Sequence, residues 1–69
     1  MTNIEPFTID STDEADDYLN DLLETPKNRT VDEVLLRAQA YVPDAAIREH
    51  FVTKGKELLK NTYGVDVDA

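Results

Sequence analysis

His50 is the single histidine of a 69-residue chain that contains no cysteine, and Ser11 is its single serine. A general base needs a nucleophile and an orienting group within hydrogen-bond reach. One imidazole without thiolates does not make a dedicated zinc site. Ser11 stands where a helix cap is required, and His50 falls at the edge of an apolar helical strip, so both read as structural or boundary positions. Carboxylates are the more abundant chemical resource: Asp13, Glu14, Asp16, Asp17, Asp21 and Glu24 lie within twelve residues. Calcium would require an EF-hand loop with a glycine at its sharp turn and a closing bidentate glutamate, whereas these acids carry helical spacing and include no glycine. Paired catalytic carboxylates need a concave site that drives their pKa values apart, and a solvent-facing helix does not offer one. Lys54-Gly55-Lys56 lacks the upstream glycines of a phosphate-binding loop. No catalytic residue, metal ligand or cofactor-binding residue is therefore assigned, and the expectation is a non-enzymatic protein.

Charge is the stronger signal. The chain carries 15 acids against seven bases, for a net charge of −8. Glu5, Asp10, Asp13, Glu14, Asp16, Asp17, Asp21 and Glu24 all precede residue 26, and every lysine and arginine follows it. The seven acids and seven bases beyond that point cancel, so the whole net charge belongs to the first third of the chain. That sign disfavours a nucleic acid and an anionic membrane surface, and it permits either a basic protein partner or simple solubility. Asp13, Asp16, Asp17, Asp21 and Glu24 are the candidate partner-binding residues, with carboxylates standing in for phosphates. A basic toxin, a nuclease or the groove of a nucleic-acid-binding protein is the kind of partner that fits. In size and charge alone it is analogous to small acidic inhibitors and regulators such as antitoxins, immunity proteins and phage or plasmid accessory proteins. Leu36, pointing away from the apolar face of its helix, is a further interface candidate.

Two other arrangements compete. A helix, a tight "VPD" break and a second helix resemble a helix-turn-helix. In that reading a dimer contacts DNA through Arg48, Lys54, Lys56 and Lys60. The turn has no glycine, however, and Asp44 and Glu49 sit near the end that would face the bases. The third arrangement is a small self-assembling subunit, a homodimer formed through the wide apolar face of helix 3.

The elements that must position these residues are legible in the spacing. Ser11-Thr12-Asp13-Glu14 and Thr30-Val31-Asp32-Glu33 both match the capping box, in which a hydroxyl serves the amide three residues on and the glutamate reaches back. After the first, Ala15, Tyr18, Leu19, Leu22 and Leu23 recur at helical intervals. Pro26 disfavours helix at the residue before it. Helix 1 is expected over 11–25. After the second box, Val31, Val34, Leu35, Ala38, Tyr41 and Val42 form one face, and helix 2 is expected over 30–42. Pro43 and Asp44 suit the first turn of helix 3, expected over 43–63. Its apolar residues are Ile47, Phe51, Leu58 and Thr62, with Val52, Leu59 and Tyr63 alongside. Gly55 predicts either a close helix approach or a kink dividing this helix, and Gly64 fits just beyond its end. Ile4, Phe7 and Ile9 around Pro6 suggest an extended arm over 1–10, with Phe7 plugging one end of the core; 64–69 is a tail.

The expected architecture is thus a single all-α domain over 1–69, a compact three-helix bundle with a short extended N-terminal arm. The N-terminal "MTNIEPFTID" has neither the charged nor the apolar region of a signal peptide. Together with the absence of cysteine, this leads to the expectation of a reducing, cytoplasmic setting.

At about 100° per residue, helix 1 divides into an apolar half and a half holding Asp13, Glu14, Asp16, Asp17, Asn20, Asp21 and Glu24. Asp13/Asp17 and Asp17/Asp21 are four apart, and Asp13/Asp16 and Asp21/Glu24 three apart. Such like-charge pairs together cost about 1–2 kcal/mol. The helix dipole favours Asp13 and Glu14 in the first turn but not Asp21 and Glu24 at the other end.

Overall fold

In the computed structural model, which describes residues 8–67, the chain folds as an all-α three-helix bundle. Helix α1 spans Thr12–Glu24, a short 3₁₀ turn Pro26–Asn28, α2 Val31–Tyr41 and α3 Ala45–Asn61. No strand occurs among the described residues. The tail is irregular as far as Val67.

Both caps form, each with only half of the expected reciprocity. Ser11 Oγ accepts from the Glu14 amide at 3.1 Å. The Glu14 carboxylate reaches the amide of Asp10 at 3.0 Å, one residue further back than a standard capping box requires. Thr30 Oγ1 accepts from the Glu33 amide at 3.2 Å, but the Glu33 carboxylate turns to Arg37 instead. Helix α3 starts later than expected. Asp44 is its N-cap, accepting from the amides of Ala46 (2.9 Å) and Ile47 (3.1 Å), and Pro43 lies in the connection, outside the first turn. The reason is that a carboxylate can serve two otherwise unpaired amides only from an extended, non-helical cap position, which Asp44 adopts.

Helix α3 is central and packs on both α1 and α2. The core comprises Ile9, Ala15, Leu19, Leu22, Leu23, Val34, Ala38, Val42, Phe51 and Leu59. Each large side chain among them stabilises the fold by about 1.5–3 kcal/mol on burial, set against the chain entropy lost on ordering. Gly55 is buried within a continuous α3: there is no division of the helix, and close approach is the reason for the glycine. A Cβ placed there would lie 2.7 Å from Val34 Cγ1 and 3.3 Å from Leu19 Cδ2, so the missing side chain lets α1 and α2 both close onto α3.

Ile9 is fully buried, and its amide donates to the Tyr41 carbonyl at 2.8 Å, which ties the start of the described chain to the end of α2. The expected plug, Phe7, lies outside the described residues, as does most of the arm. Two further expectations shift. Leu35, expected on the apolar face, is 38% exposed, and Thr62, expected on the α3 strip, is exposed as that helix's C-cap. Gly64 has φ = +70°, the left-handed conformation that glycine adopts without a Cβ penalty. Beyond it the Val65 amide donates back to the Leu59 carbonyl at 2.8 Å.

Neither α1 nor α2 has a basic residue in its last turn. An arginine from the following segment serves each C-terminus instead. Arg29 donates from Nε to the Leu23 carbonyl (2.6 Å) and from Nη2 to that of Glu24 (3.2 Å), while its guanidinium stacks 4.0 Å from the centre of the Tyr63 ring. Arg48 donates to the carbonyls of Val42 and Pro43, both at 3.0 Å. A planar fork beside unpaired helix-end carbonyls supplies both hydrogen bonds and favourable charge.

Candidate functional face on α1

The capped, leucine-anchored α1 presents its acids as the spacing requires, with one exception. Asp13, Glu14, Asp17, Asn20, Asp21 and Glu24 are all exposed. Asp16 is half-buried and turned toward α3, where its Oδ1 lies 2.9 Å from His50 Nε2. An ionised carboxylate only accepts, so the imidazole donates from Nε2 in this contact. Asp16 therefore differs from the other acids of the candidate partner-binding set in already accepting from a neighbouring helix, through one of its two oxygens. Helical spacing along α1 carried no trace of this contact, since His50 is 34 residues away. The lone histidine was the one available clue.

Asp13, Asp17, Asp21 and Glu24 form no ion pair among the described residues, where Arg37–Glu33, His50–Asp16 and Lys54–Glu57 do pair. The four therefore share one helix surface with no cation paired to them among the described residues. The seam between α1 and α2 holds a different cluster. Arg37 donates from Nη1 to Tyr18 Oη at 3.1 Å and from Nε and Nη2 to Glu33 Oε1. Tyr18 in turn packs against Tyr41 and Phe51, each with ring centres 5.9 Å away. The bond to Tyr18, with a smaller contribution from Glu33, raises the Arg37 guanidinium above its ordinary value despite opposing desolvation. An arginine is charged at physiological pH in any case, so this fixes a position and switches nothing.

The residues of the DNA-contact arrangement are only partly available. Arg48 is committed to the carbonyls at the end of α2. Lys54 Nζ donates to Glu57 Oε1 at 3.3 Å. Lys56 is half-buried and Lys60 exposed. For self-association, Phe51 and Leu59 are fully buried within one chain, leaving the half-buried Val52 and Leu58 as the nearest apolar positions on α3. Leu36 is 59% exposed on the outer side of α2.

An open cleft of about 410 Å³ lies between the first turn of α2 and the tail, lined by Arg29, Thr30, Val31, Asp32, Val65, Asp66 and Val67. Neither Ser11 nor His50 borders it. Among the described residues no cluster of three or more His, Asp or Glu side chains could hold a metal ion. No described helix is long and apolar enough to cross a membrane. No protein-family model, curated protein or solved structure matches this chain.

Proposed function

We propose that the protein is a non-enzymatic interaction module, an adaptor, inhibitor or regulator, whose α1 surface docks on a basic surface of another protein. The observation that carries this reading is the row Asp13, Asp17, Asp21 and Glu24. All four are exposed on one helix, and none has an intramolecular cation among the described residues. Each neighbouring like-charge pair weakens the helix by about 0.2–0.5 kcal/mol. A solubilising surface could meet the same need with mixed signs, as α3 does with Arg48, Glu49, Lys54, Lys56, Glu57 and Lys60. Concentrated charge gives a field that speeds encounter with an oppositely charged partner and selects among partners more than it adds affinity. Exposed Leu36 on α2 is the apolar candidate to accompany it. The DNA-contact arrangement has less support, because Arg48 is occupied within the fold and the acidic third opposes phosphate.

The test is affinity capture from the cells that encode the protein, with wild type and an Asp17→Asn/Asp21→Asn/Glu24→Gln variant run in parallel. Mass spectrometry should identify a basic protein held by the wild type and lost by the variant, with recovery falling as salt rises. Equal recovery of the same proteins by both would refute the reading.

A further inference from the structure

We draw no further inference here: the strongest candidate, the open cleft between the first turn of α2 and the tail at 65–67, is lined by three valines among polar residues, and nothing in the structure shows what covers it.

Discussion

Replacing Gly55 by alanine sets two effects of known sign against each other. In a helix interior alanine is favoured over glycine by about 1 kcal/mol. The added Cβ, however, would lie 2.7 Å from Cγ1 and 3.1 Å from Cγ2 of Val34, and 3.3 Å from Cδ2 of Leu19. Val34 is fully buried in α2, and a β-branched side chain in a helix is held to essentially one χ1 rotamer. The contact therefore cannot be relieved by swinging a flexible tip aside; α2 must move away from α3 instead. Overpacking of this kind costs about 1–3 kcal/mol, so Gly55→Ala should destabilise by roughly 0–2 kcal/mol net. The total stability of a chain this size is about 3–10 kcal/mol, which makes the loss readable as a lowered urea midpoint followed by circular dichroism at unchanged slope. The sharper measurement repeats the substitution in a Val34→Ala background. That change alone removes two methyl groups and costs about 2 kcal/mol. With the valine methyls gone and only the flexible end of Leu19 left in tight contact, Gly55→Ala should become stabilising by up to about 1 kcal/mol, the propensity difference. The same effect in both backgrounds, or a stabilising Gly55→Ala in the wild type, would refute close packing as the reason for the glycine.

The other predictions concern single contacts. Asp16→Asn and Asp17→Asn, one position apart, should act in opposite directions. The first weakens the contact to His50, a loss of under about 1 kcal/mol for a half-exposed pair, which should outweigh the roughly 0.2–0.5 kcal/mol of Asp13/Asp16 repulsion it relieves. The second relieves two i,i+4 repulsions and raises stability by about 0.4–1 kcal/mol at low salt, a gain that 0.5 M NaCl should largely erase; equal signs in denaturant titrations would contradict the division of the acidic face. Arg29→Ala should cost about 1–2 kcal/mol through two lost carbonyl contacts and the Tyr63 stack. Arg29→Lys should recover little of this, since an ammonium lacks the planar fork, and a full recovery in the urea midpoint would count against the geometry. Ser11→Ala and Thr30→Ala should each lower stability by about 1 kcal/mol, with amide exchange rising first at the start of the affected helix.

Local rules determined much of this protein before any packing was known. Leucine and alanine spacing fixed α1, the hydroxyl caps fixed where α1 and α2 begin, and Pro26 and Pro43 marked where they must end, because each feature acts through its own few residues of backbone. The acidic face followed from the same arithmetic: a helix that buries Leu19 and Leu23 must turn Asp17 and Asp21 outward. Tertiary structure decided whatever depended on residues far apart in sequence. Gly55 could mean a kink or a close approach until Val34 and Leu19 stood beside it. Asp16 looked equivalent to Asp17 until His50 arrived from α3. Arg48 looked available for phosphate until it bonded the carbonyls of Val42 and Pro43, at and just beyond the C-cap of α2. Leu35 belonged to the apolar stripe by spacing, yet remains 38% exposed, because the width of a buried stripe is set by the helices that cover it and not by the helix that bears it.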